Sequence, residues 1–201
     1  DIALAEKRDQ EAVPHYQKAM QLNPGYFGSW LGAGVAQYRL KNRAQSEQYL
    51  KRSMELLPTA PAALYLGNMA RDSGDVEGAL KLYQTASTSQ SSLGQEAARE
   101  AVRIDLPRNP GNYVATAMRA GADGRPMLVL QNRAPVALAS IQVTPVQVNS
   151  LGQIVQQGRA LTIAGPLASG AQVTVDPGIA AMTAEQLAGL RARVDAARVA
   201  Q

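Results

Sequence analysis

Residues 60–87 read APAALYLGNMARDSGDVEGALKLYQTAS, and the order of small, apolar and turn-forming residues there decides the fold. Leu66-Gly67-Asn68 lies inside one apolar-periodic segment. Ser73-Gly74-Asp75 interrupts it, and Ala79, Tyr83 and Ala86 then recur along a second segment. Apolar residues three and four apart mark one face of an α-helix, while Gly followed by a capping Asp marks a turn between helices. The stretch predicts two helices joined by a turn.

Working upstream, the pattern returns. Pro24 and Pro58 are 34 residues apart, as are Tyr16 and Leu50, and Ala12 and Ser46. A second unit opens near Phe27 with Trp30, Ala33-Gly34, Leu50, Ser53 and Pro58; before it, Ala12, Tyr16, Ala19 and Pro24 match only a second helix. Leu50, Met54 and Leu57 follow helical spacing. A hairpin of this size cannot bury its apolar face alone, so the units must stack. Ser91 to Asp105 reads as a further helix capping the stack, with Ala97, Ala98, Ala101, Val102 and Ile104 inward and Glu96 and Glu100 in solvent.

These residues resemble the tetratricopeptide repeat family over about residues 1–88. The departures are Pro14 inside a helix, Ser46 and Ser53 in place of alanine, and a 33-residue step into the third unit. The resemblance implies an α-solenoid whose first helices line a concave peptide-binding groove. On the family's register the groove residues are Leu31, Val35, Tyr38 and Arg39 in the second unit, and Leu64, Asn68, Arg71 and Asp72 in the third. Tyr38 and Leu64 are expected to be exposed and to carry most of the binding. Asn68 would pair with a peptide backbone and Arg71 with a carboxylate. The plainer alternative makes all of these solvated helix residues or contacts to the next repeat. Asp1 aligns with the ninth position of a unit, so Ile2, Leu4 and Ala5 are expected to end a truncated helix. Its apolar edge would be covered by another chain, by self-association, or by the C-terminal helix.

Downstream the composition changes. Trp30, Phe27 and six of seven tyrosines precede residue 84, lysine ends at Lys81, and Leu106 to Asn112 supplies a Pro/Asn/Gly break. Met127 to Leu130, the valine-rich run Val136 to Val148, and Ala171 to Val175 read as strands between turns at Asp123-Gly124, Asn132 to Pro135, Asn149 to Gly152 and Ser169-Gly170. Asn132, Pro135, Val143 to Val148, Gly152-Gln153-Ile154-Val155 and Gly170 are similar in order to the FxLYD-type, immunoglobulin-like domains of bacterial envelope proteins. The FxLYD residues themselves are replaced by Val146-Gln147-Val148-Asn149. Thr183 to Gln186 opens a final amphipathic helix through Leu187, Leu190, Val194 and Ala197. The expected fold class is α+β, with helical repeats and a cap over 1–106, a small antiparallel β-sandwich over 107–180, and a C-terminal amphipathic helix over 181–201.

The search for chemistry finds little. Cysteine is absent, so thiolate metal sites and disulfides are excluded. The lone histidine, His15, has no His, Cys or paired carboxylate three or four residues away. Gly32-Ala33-Gly34 lacks the third glycine of a dinucleotide loop and lies in a helical segment. No catalytic residue, metal or cofactor is therefore expected. The net charge of +4 resides in residues 107–201 as scattered arginines without a dense stripe, so no nucleic acid is expected. Membrane contact is not expected either, since the final helix should pack on its own domain. The reading is a non-catalytic scaffold binding a protein or extended peptide, in the bacterial periplasm or cell envelope by resemblance. Two alternatives remain by resemblance. One is the recruiting C-terminal region of a periplasmic zinc metallopeptidase; the other is a structural subunit of a secretion or pilus complex.

Overall fold

The structure is a computed structural model that describes residues 8–200. The expectations placed on Ile2, Leu4 and Ala5 fall outside the described residues. The chain divides into two compact units, Asp1–Ala101 and Val102–Gln201.

In the first unit the described helices are α1 (Asp9–Leu22), α2 (Phe27–Arg39), α3 (Arg43–Leu56), α4 (Ala60–Asp72), α5 (Val76–Ser87) and the start of α6 (Ser92–Asp105). α2 pairs with α3 and α4 with α5 as hairpins, and α1 packs on α2. The glycines show why the hairpins close so tightly. A Cβ on Gly34 would come within 2.7 Å of the Leu50 side chain, and one on Gly67 within 2.7 Å of the Tyr83 ring. Gly34 and Gly67 occupy the same place in their units, as do Leu50 and Tyr83. Tyr16 fills the same role at the preceding interface, where a Cβ on Gly32 would meet its ring at 2.3 Å. Ser46 and Ser53 are fully buried without being unsatisfied. The Ser46 hydroxyl donates to the Gly34 carbonyl at 2.9 Å, and that of Ser53 to the Phe27 carbonyl at 3.2 Å. Leu57 departs from expectation: it follows the last turn of α3 and is 45% exposed, whereas the buried face of that helix is Ser46, Leu50 and Ser53.

The turns within the two hairpins are matched as well. Gly74 (φ +82°) and Lys41 (φ +64°) stand at equivalent positions, both left-handed. Asp75 then caps α5, its carboxylate accepting from the Gly78 amide at 2.9 Å. Asn42, its counterpart, makes no such cap and donates instead to the Gln37 side chain at 2.7 Å.

The second unit is built on β1 (Val114–Ala120), β2 (Pro126–Asn132), β3 (Leu138–Val148), β4 (Ile154–Gln157), β5 (Leu161–Leu167), β6 (Gln172–Val175), the short helix α7 (Ala184–Ala188) and β7 (Leu190–Val199). One antiparallel sheet has the order β1-β2-β6. In the other, β7 pairs along β3 from Leu138 to Gln147, while β5 and β4 share the opposite edge of β3. Leu128 and Leu130 of the first sheet meet Leu138, Ile141 and Val143 of the second in one core, completed by Val102, Leu106 and Ala197. This is an antiparallel sandwich, as expected.

Asn132 ties the β unit together. It is fully buried; its amide nitrogen donates to the Val136 and Leu167 carbonyls at 2.8 and 2.9 Å, with the Ala168 carbonyl at 3.1 Å. Its side-chain oxygen accepts from the Ala134 amide at 2.8 Å. At the entry, Asp105 accepts from the Tyr113 hydroxyl at 2.8 Å and the Asn109 amide at 2.7 Å. The Tyr113 phenol is pushed well above its ordinary range by burial and by that carboxylate.

The C-terminal expectation needs correcting. The capping box at Thr183 forms, but the helix ends at Ala188 and Leu190–Val199 is a strand, not an amphipathic helix. Leu190, Ala192 and Val194 alternate inward, and then a bulge places both Asp195 and Ala196 outside before Ala197 turns in. The extra residue stretches a spacing of two into three, which imitates a helical step. β1 and β5 were not foreseen: β1 is alanine-rich, and β5 contains Gly165 and Pro166, so neither carries a strong strand signal.

Candidate protein-binding surface

The residues expected to line a groove lie on α2 and α4, but the structure leaves only some of them open. Val35 is 6% exposed and Leu64 only 1%, so both are core residues rather than binding residues. Stacking of successive units buries these first-helix positions, which the alternative of inter-repeat contact had anticipated. Leu31 and Tyr38 are half-buried and pack against the cluster of Val35, Leu50, Ala62, Leu66 and Met69. The Tyr38 ring stands 4.9 Å from that of Tyr65, and burial, aided by Asp72, raises its phenol above the ordinary value.

The polar members are already engaged. Arg39 reaches Asp9 at 3.5 Å. Asn68 accepts a hydrogen bond from the Tyr83 hydroxyl at 2.8 Å. Arg71 bonds Asp72 at 3.0 Å and Glu100 at 2.8 Å, so Glu100 is an ion-pair partner rather than the solvated residue expected. Tyr83 is pushed up to about 12, first by burial and then by the carboxylates of Glu100 and Asp72, with Arg71 opposing. The row thus behaves as a hydrogen-bonded seam, with Tyr38 and Leu31 its remaining half-open apolar elements.

A different surface is open. A groove of about 750 Å³ runs across α3, α4 and α5. Met54, Leu66, Met69 and Leu82 form its apolar floor, and Arg43, Glu47, Lys51, Glu55 and Asp75 stand around it. Lys51 pairs with Glu47 at 2.6 Å, Arg52 holds Glu55 at 2.8 Å, and Arg43 donates to the Met69 carbonyl. A smaller recess of about 230 Å³ shares Arg43 and Met69 with it and leads to Tyr38, Lys41 and Asp72. Thioether side chains adapt to varied apolar partners, and a mixed-charge rim can orient one. Sequence reasoning missed this groove because Met54 read as part of the apolar face of its helix and Met69 was not singled out. The available signal was charge of both signs on the outer face of α3 beside two methionines.

Among the described residues, no three His, Asp or Glu side chains gather as metal ligands, and His15 is exposed on α1. No helix among them is long and apolar enough to cross a membrane. The search of curated proteins found no match to this chain. The tetratricopeptide repeat family matches residues 3–67, the stretch that contains α1, α2, α3 and the first half of α4.

Proposed function

We propose that the helical unit is a non-catalytic protein-binding module that takes an apolar peptide segment, bearing charges of both signs, in the groove across α3, α4 and α5. The observation that carries this reading is the methionine-floored groove with its mixed-charge rim, set on a tetratricopeptide-type scaffold. Repeats of this family generally mediate protein–protein binding. A rigid helical groove with an adaptable floor suits helix-in-groove or extended-segment recognition. The order of repeats followed by a β-sandwich supports a bacterial envelope setting, through its likeness to the FxLYD-type arrangement. Repeats followed by a terminal β segment are also similar to the tail of periplasmic zinc metallopeptidases, which supports recruitment on behalf of such an enzyme.

The test is peptide selection on the full chain from a random library. It is followed by affinity measurement on Lys51→Glu/Met54→Glu in the groove and Tyr38→Ala/Asn68→Ala on the seam. Selected peptides should lose at least tenfold in affinity with the groove pair and much less with the seam pair. Failure to select any binder, or binding indifferent to the groove pair, would sink the reading.

A further inference from the structure

Residues 134–158 contain no charged side chain, and arginines stand at both ends of that run, Arg133 and Arg159. Its last stretch forms the β3–β4 hairpin, where every residue from Ser150 to Ala160 is exposed. Three of these are large aliphatics: Leu151 is 79% exposed, Val155 61% and Ile154 49%. Exposed aliphatics gathered in five residues are uncommon on a surface with no ligand. The hairpin is nevertheless well built. The Asn149 side-chain oxygen accepts from the Leu151 and Gln153 amides at 3.0 and 2.9 Å, and Gly152 (φ +76°) supplies the left-handed turn. A bulge follows, since Val148 pairs with Ile154 but Gln147 with Gln156. All four residues of β4 are exposed, Ile154 and Val155 among them.

That bulge and the four-residue length also blunt β4 as an edge for adding another strand. The surroundings favour a different occupant. The second unit carries the whole net charge of the chain as arginines. Arg191 lies opposite Val146 on β7, and Arg159 follows β4, where the Gly158 amide bonds the Pro145 carbonyl. Arg191 sits about three residues, or ~10 Å, behind the turn, and Arg159 about five, or ~17 Å. α7 lies at the same end of β3, where the Gln147 side chain donates to the Gln186 carbonyl at 3.1 Å, and it carries Glu185 in its first turn. An aliphatic tip with arginines set back by the depth of a headgroup layer complements an anionic bilayer in both polarity and charge.

We propose that the β3–β4 hairpin docks the second unit on an anionic phospholipid surface, with Leu151, Ile154 and Val155 entering the acyl boundary and Arg159 and Arg191 meeting lipid phosphates. This reverses the expectation of no membrane contact, which rested on a C-terminal helix packed on its own domain. It stands apart from peptide binding by the helical unit.

The experiment is co-sedimentation of the full chain with phosphatidylcholine vesicles containing about 30% phosphatidylglycerol, and with pure phosphatidylcholine. Binding is expected to the anionic vesicles only and to weaken as salt rises. Leu151→Ser/Ile154→Ser/Val155→Ser should lose at least tenfold in binding with an unchanged melting temperature, since all three are exposed. Arg159→Gln/Arg191→Gln should weaken binding and flatten its salt dependence. Because the chain has no cysteine, Leu151→Cys accepts a single environment-sensitive dye. Its emission should shift blue on anionic vesicles, while the same dye at Ala168→Cys, exposed in the β5–β6 turn, should not respond. Equal binding by the triple serine variant, or no dye response at Leu151→Cys, overturns the proposal. So does absence of vesicle binding together with concentration-dependent self-association that the triple variant abolishes, which would make the hairpin a contact between copies.

Discussion

At the scale of single residues, the two hairpins show one design executed once well and once less well. Lys41 holds the left-handed turn that Gly74 holds in the next unit. A side chain there costs about 1–2 kcal/mol, and glycine returns about 0.5–1 kcal/mol of that as unfolded-state entropy. Lys41→Gly should therefore stabilise the helical unit by roughly 0.5–1 kcal/mol, read as a higher denaturant midpoint with unchanged slope. Asn132 is the opposite case. Replacing it with Ala strips partners from the Val136 and Leu167 carbonyls and the Ala134 amide, at about 1–3 kcal/mol for each group left buried and unpaired. Asn132→Asp should be worse, because it presents a carboxylate to carbonyl oxygens. Both changes should lower the melting temperature of the β unit. Leu64→Ala should cost about 2–5 kcal/mol, as a core truncation does, which separates its observed burial from the exposure read off the register.

At the scale of elements, the helices were legible and much of the sheet was not. Gly34, Gly67, Leu50 and Tyr83 recur because close helix approach leaves few solutions, and that constraint writes itself into the sequence at a fixed period. Gly67→Leu should accordingly break the α4–α5 hairpin. Its Cβ alone would stand 2.7 Å from the Tyr83 ring, and the helical signal in circular dichroism should lose its cooperative melt. Strands announce themselves through alternation, and a bulge erases it. The step at Asp195 made β7 look helical from Leu187 to Ala197, while alanine-rich β1 offered little β-propensity. The surface was least legible of all. Which face of a repeat stays open depends on what the next hairpin covers, and Leu64 gives no local sign of it.

At the scale of the molecule, each unit encloses a phenol that resists ionisation, Tyr83 in the first and Tyr113 in the second. An unfolded tyrosine titrates near about 10, whereas folded Tyr83 holds its proton to about 12. The folded state binds the proton more tightly, so this stabilisation is complete below pH ~10 and is lost as pH climbs through about 12. Urea midpoints should fall steeply over that window, and Tyr83→Phe should make the fall shallower for the helical unit.

The pairing of β7 along nearly the full length of β3 has a consequence for biosynthesis. The helical hairpins join neighbours in sequence and can form as the nascent chain emerges. The central strand of the sandwich, by contrast, lacks one of its two edges until residues 190–199 have been translated. Contacts such as the Thr116 hydroxyl with the Ala192 carbonyl span 76 residues. On the ribosome, then, the repeats should mature first, while the β unit waits with its apolar strands in need of protection. A stop codon at position 190 should leave a protease-resistant helical fragment joined to a degraded tail.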